Sequence, residues 1–184
     1  MTVRIKNVIP IHELTLGEIS SAKREAIRTG ISRAIDRRLA PVEERLIVRQ
    51  AQNIADFGTA LDQWNTAALA VVGTAYSVFQ AIAAPVLANN KVAVFYRVGI
   101  QTAPNPVSLL SFRQGVVGGT TYAQLDLQQL NMGLATEGYF SEPIVYEPNE
   151  VLNITVTASI ATAAAAQVIL GCFIIEPMGP TISG

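Results

Sequence analysis

A run of 25 residues, Val151–Ile175, contains no charged side chain. It begins with strict alternation in "VLNITVT" and becomes almost wholly apolar in "VILGCFII". Alternation at a period of two places Leu152, Ile154 and Val156 on one face of a strand and Asn153, Thr155 and Thr157 on the other. The second face is polar enough for water and uncharged enough to pack against protein. Native sheets guard open faces and edges with charge, Lys above all, and this run does not. Burial by identical neighbours is the simplest way for a chain to carry such a surface.

Charge divides the sequence at about residue 65. Residues 1–65 hold ten Lys/Arg and eight Asp/Glu, whereas residues 66–184 hold three Lys/Arg (Lys91, Arg97 and Arg113) and six Asp/Glu. Charged residues make up 15% of the chain, against ~25% in ordinary soluble domains. The expected organisation is a charged helical arm over 1–65 and a β domain over 66–184. The formal net charge of −1 gives no global field that would draw in nucleic acid or an anionic membrane.

In the first part, "TLGE" sets Thr15 and Glu18 at capping-box spacing, which predicts a helix start. Ile27, Ile31, Ile35 and Leu39 follow one turn apart, Arg24 and Arg28 flank them, and Pro41 disfavours helix at Ala40. A narrow apolar stripe with basic edges predicts a helix that lies on a partner. The segment 46–58 reads two ways. Ile47, Ala51, Ile54 and Gly58 suit a helix ending at glycine, and "RLIVRQ" suits a strand.

In the second part, "YSVFQAIA", "KVAVFYRVGI", "VSLLSFRQG", "TYAQLDL", "EPIVYEP", "EVLNITVTAS" and "AQVILGCFIIEP" are short apolar or alternating runs. They are separated by "LANNK", "TAPNPV", "GVVGGTT", "YEPNE" and "ATAAA", which carry turn residues. The fold class that follows is mainly β: a jelly roll or β-sandwich of about eight antiparallel strands, preceded by the helical arm. A short helix in "LQQLNMGL" could cross one end. The uncharged stretch between Asp62 and Lys91 is long enough to span a bilayer, but its Thr, Ser, Gln, Pro and Ala content favours strands.

Catalytic constellations are hard to assemble from this sequence. His12 is the single histidine and Cys172 the single cysteine, so one copy can fill neither a zinc cage nor a hydrolase triad. Cys172, inside "VILGCFII", reads as a small buried hydrophobe. The glycines of "QGVVGGTT" lack the Lys-Ser/Thr of a phosphate loop, so Gly118 and Gly119 read as a hairpin turn. Glu142, Glu147 and Glu150 cluster around a turn, where acids are ordinarily solvated. No enzyme activity, metal or cofactor is expected. Lys23, Arg24, Arg28, Arg33, Arg37 and Arg38 form a basic cluster interleaved with Glu18, Glu25 and Asp36. That pattern suits an acidic protein partner better than direct contact with nucleic acid. Trp64 is placed to anchor the arm to the β domain. "MTVRIKNVIPIHEL" has no apolar leader core, which points to assembly in a cytoplasm.

Two segments, "GYFSEPIVYEPNEVLNITVTA" and "VILGCFIIEPMGPTI", carry a resemblance. They contain Phe140, Pro143 and Ile144, then Pro148, Asn149, Glu150, Leu152, Ile154 and Val156, and finally Glu176-Pro177. With them the chain resembles virion structural proteins of tailed bacteriophages, most of all the jelly-roll decoration, or cement, proteins of the capsid. The resemblance spans about residues 66–180. It implies a homotrimer on the capsid surface that bridges neighbouring major capsid subunits and is assembled in the host cytoplasm, with no catalytic residues and no membrane. Candidate capsid contacts are Arg24, Ile27, Arg28, Ile31, Ile35 and Arg38. Candidate contacts between copies are Trp64, Asn153, Thr155 and Thr157. The long charged first part departs from that pattern and leaves a neck, tail or minor-capsid position open. A carbohydrate- or receptor-binding β-sandwich is the alternative from another class.

Overall fold

The computed structural model describes residues 4–51, 56–57, 64–79, 84–115, 119–128, 130 and 135–179. Eleven strands and one long helix are named among them. The strands are β1 (Arg4–Lys6), β2 (Val8–Pro10), β3 (Leu46–Gln50), β4 (Asn65–Ala68), β5 (Ala75–Ser77), β6 (Val92–Ile100), β7 (Val107–Arg113), β8 (Thr121–Asp126), β9 (Glu137–Tyr146), β10 (Asn153–Ala158) and β11 (Ala165–Pro177). The helix, α1, is Leu16–Asp36.

Strands β4 to β11 nest like a folded hairpin. The outermost two, β4 and β11, pair with each other, and inside them β5 pairs with β10, β6 with β9, and β7 with β8, all antiparallel. Wrapped into two sheets, this nesting is the topology of a jelly roll. One sheet runs β8-β7-β10-β5, and the other runs β9-β6-β11 with β4 on the far side of β11. The first 65 residues extend both. β1 adds to β8 in parallel, β2 adds to β9, and β3 lies beside the second half of β11. The charged first part and the β domain are therefore interleaved in the same two sheets.

Between the sheets lies the main core. Phe95, Leu110, Phe112, Leu125, Phe140, Ile144, Tyr146, Leu152, Ile154, Val156, Leu170, Cys172 and Ile174 are all buried there. Ring pairs Phe95–Phe112, Phe95–Tyr146 and Phe112–Phe140 sit 5.6, 5.9 and 5.9 Å apart, the spacing at which aromatic edges and faces attract. The alternation of "VLNITVT" is seen as expected: Leu152, Ile154 and Val156 face this core.

A second core forms on the other side of the β2-β9-β6-β11-β3 sheet, where α1 packs. Val92, Val94, Tyr96, Tyr139, Phe173 and Ile175 point outward from the sheet and meet Ala26 and Ala34 of the helix. The central strands β6 and β11 are therefore covered on both faces, which gives the near-continuous apolar sequences "VAVFY" and "CFII". The helix does not lie free, and the stripe that seats it is not the one centred on isoleucine. Its buried line is Ala26, Gly30 and Ala34, with Ala22 half-buried one turn earlier. Ile27 and Ile31 flank that line half-buried, and Ile35 is 37% exposed. The sheet supplies the bulk here, so the helix must supply the small residues. A Cβ built on Gly30 would lie 2.5 Å from Ile175 Cδ1 and 2.6 Å from Val94 Cγ2.

Local signals set the helix ends. Thr15 Oγ1 accepts from the amide of Glu18, and the Glu18 carboxylate accepts from the amide of Thr15 at 2.8 Å, which completes the capping box. Those bonds hold the Glu18 carboxyl below its ordinary pKa. At the other end, Arg38 adopts a left-handed conformation with φ of 56°, and Ala40 precedes Pro41 as expected. Of the ambiguous segment, Leu46–Gln50 is strand, while Ile54 and Gly58 lie outside the described residues. Most of "LQQLNMGL" lies outside them too.

The seat at Gly30 generates a direct test. Gly30→Leu improves intrinsic helix propensity yet forces a side chain into the second core, at a cost of about 1–3 kcal/mol. Thermal unfolding should fall by about 2–10 °C, while Ser32→Leu on the exposed face should not lower it. Equal melting temperatures for the two variants would mean that α1 is not seated on the sheet.

Candidate functional site

The helix packs against β6, β9 and β11, and among the described residues no element covers the outer face of the other sheet, β1-β8-β7-β10-β5. Register then aligns a row of uncharged residues across four strands. Gln124 of β8 is opposite Ser111 of β7, which is opposite Thr155 of β10, which is opposite Ser77 of β5. The next row on the same face reads Asp126, Leu109, Thr157 and Ala75. Thr155, Thr157, Gln124 and Ser77 are half-buried, and Gln124 Nε2 donates to Ser111 Oγ at 3.2 Å. Asp126 and Arg113 stand at the margins of this face, and its middle carries no charge.

The sparse charges of residues 66–184 are largely occupied inside the protein. Arg49 grips Asp56 with both guanidinium nitrogens at 2.7 Å and bonds Glu176 through Nε at 2.8 Å, while Lys91 Nζ lies 2.7 Å from Asp56 Oδ1. The Asp56 side chain is wholly buried. These bonds, to Asp56 first and Glu176 second, raise the Arg49 pKa further above its ordinary value. The four groups tie β3, β6 and β11 together at one end of the sandwich. Arg97 pairs with Glu137, and Glu147, in the turn after β9, takes Arg33 and Arg37 from the last turns of α1. Glu150 accepts from the amide of Glu147, and Asp126 accepts from that of Gln128. Little charge is left over for display.

Three loops at the opposite end of the sandwich are free of charge. Loops 69–74, 101–106 and 159–164 meet there and contain no ionisable side chain. Backbone bonds knit them together: Gly73 N to Ala158 O at 2.8 Å, Thr162 N to Leu69 O at 3.0 Å and Ser159 N to Pro106 O at 2.8 Å. Val71, Val72 and Ile160 remain exposed on these loops.

The structure separates the residues singled out in the sequence. Thr155 and Thr157 face outward on the open sheet, but Asn153 is 4% exposed, with its Nδ2 donating to the Gly115 carbonyl. Trp64 packs against Phe57 and Phe79 at 5.7 and 5.6 Å, on the margin of the main core. Arg24, Arg28 and Arg38 are exposed, and Ile27, Ile31 and Ile35 have the partial burial given above. His12 is exposed beside Glu13, whereas Cys172 is buried and its thiol pKa is pushed up by desolvation, so the two cannot act together. Gly118 lies outside the described residues. Among the described residues, no group of three or more His, Cys, Asp or Glu is placed to hold a metal, and no helix is long and apolar enough to cross a membrane. Sequence reasoning missed the Arg49–Asp56–Lys91–Glu176 group. Its members are 127 residues apart at the extremes, and the pairing of β3 and β6 with β11 brings them together.

Comparison with known proteins finds no matching family model, no similar curated protein and no similar solved structure.

The ion group makes a stability prediction. Asp56→Ala strands Arg49 and Lys91 with one acid between them, and losing one partner of a buried pair costs about 3 kcal/mol or more. The melting temperature should drop by about 6–12 °C. An unchanged melting temperature would show that the group holds nothing together.

Proposed function

We propose that this protein is a structural component of a tailed-phage virion, a capsid decoration protein that works by association and not by catalysis. One observation carries the reading: the face centred on Gln124, Ser111, Thr155 and Ser77 is continuous and uncharged, half-buried at Gln124, Thr155 and Ser77 and buried at Ser111. Hydroxyl and amide groups of this kind can be buried against a second copy without the desolvation cost of charge. The resemblance of residues 138–158 and 168–182 to cement proteins supplies the setting, and the jelly-roll topology is compatible with it. In this proposal three copies join through the open sheet and sit on the outer surface of the shell, bridging major capsid subunits. A ligand that binds the assembled shell alone stabilises it in proportion to RT ln(1 + [L]/Kd).

A carbohydrate-binding module would need aromatic rings displayed for stacking on sugars. Here Tyr96, Tyr139 and Tyr146 are buried, and Tyr76 lies half-buried with its hydroxyl accepting from the amide of Val71 at 2.9 Å. The rings serve packing, which favours the assembly reading.

Light scattering across a dilution series tests this. The wild-type chain should run at three times 19.7 kDa, and Ser77→Lys combined with Thr155→Lys should return it to a single copy with its fold intact by circular dichroism. A monomer at every concentration, or a variant as large as the wild type, would overturn the proposal.

A further inference from the structure

We propose that one flank of α1 is a docking surface for an acidic protein, separate from the face through which copies associate. The helix is held firmly, by its capping box at Thr15 and Glu18 and by the close seat at Gly30, so the orientation of its exposed residues is fixed. At about 100° per residue, Arg24, Arg28, Ile31 and Ile35 fall within a sector of about 60° on one side of the exposed surface. Glu25, Thr29, Ser32 and Asp36 fall within a similar sector on the other side. Arg24 and Arg28 thus share one flank with isoleucines, while Glu25 and Asp36 share the neighbouring one with hydroxyls and Arg33 lies beyond them.

The two sets of basic residues are also treated differently. Arg33 and Arg37 share one acid, Glu147. Lys23, Arg24, Arg28 and Arg38 are exposed, and among the described residues no acid lies within ion-pair distance of them. These are four uncompensated cations on a chain whose net charge is −1. Among the described residues, then, no acid supplies the charge that would complement them.

Its chemistry favours a protein over a nucleic acid. Ile35 is 37% exposed, and Ile31 and Ile27 are half-buried beside Arg24 and Arg28. Arginine set among aliphatic side chains is the composition of a protein interface. A phosphate backbone would gain nothing from the isoleucines. The partner called for is a surface bearing two or more carboxylates around a small apolar patch.

The inference takes from the assembly reading only that the partner is another component of the same structure. Its test is independent of self-association. Full-length protein is passed at neutral pH and low salt over immobilised poly-L-glutamate, with a short DNA duplex as soluble competitor. The wild type should be retained despite its net negative charge. Arg24→Glu with Arg28→Glu should weaken retention about tenfold or more, and Arg24→Ala with Arg28→Ala should weaken it less. Both variants should keep the wild-type mass by light scattering and the wild-type helix signal. Failure of the wild type to bind, or equal retention of the charge-reversed variant, would overturn the proposal. Displacement by duplex DNA at a lower charge concentration than by free polyglutamate would also overturn it, in favour of nucleic acid.

Discussion

The close approach of α1 to the β2-β9-β6-β11-β3 sheet decides most of what this protein can do. Ala26, Gly30 and Ala34 let the helix backbone settle among Val94, Ile175, Tyr96 and Phe173. That contact buries one outer sheet face completely enough for β6 and the second half of β11 to be apolar on both sides. It also leaves the molecule asymmetric. One face of the jelly roll is closed by the protein's own helix, and the other is closed by nothing in the chain that the structure describes.

Charge follows the same asymmetry. A protein with few charges could scatter them over its surface for solubility, but here most of those in residues 66–184 are engaged within the protein, and the exposed ones lie largely in the first 45 residues. Arg49, Asp56, Lys91 and Glu176 clamp one end, Arg97 holds Glu137, and Glu147 anchors the end of α1. Among the described residues, Lys23, Arg24 and Arg28 of the helix are exposed cations with no acid at ion-pair distance. The result has three distinct regions: a basic helix flank, an uncharged polar sheet and a set of charge-free loops carrying Val71, Val72 and Ile160. Such separation fits a part that meets different neighbours on different sides better than it fits a free-standing catalyst.

Much of the fold was legible in the sequence, and the misses have physical causes. Alternation in "VLNITVT" gave β10 and its two faces correctly, and the capping box gave the start of α1. The helix contact face was misplaced because a periodicity search weighs isoleucine above alanine and glycine. Against a sheet rich in Val, Ile and aromatic rings, small residues make the closer contact. The strands β1, β2 and β4 are three or four residues long, too short to show a period, and they exist through pairing with longer partners. Of the contact candidates, Thr155 and Thr157 were recognisable from alternation alone. Asn153 follows the same alternation but sits at the strand's end, where Gly115 covers it, and no local pattern announces that.

The central claim is that the open sheet is buried when copies associate. Because Cys172 is buried, a cysteine introduced elsewhere would be the one accessible thiol among the described residues. The decisive measurement is the rate at which a thiol reagent labels Thr155→Cys, compared with Ser32→Cys on the exposed face of α1, as the protein is diluted. The account predicts that Thr155→Cys is protected at high concentration and becomes reactive on dilution, while Ser32→Cys reacts at one rate throughout. Equal, concentration-independent labelling at both positions would contradict it.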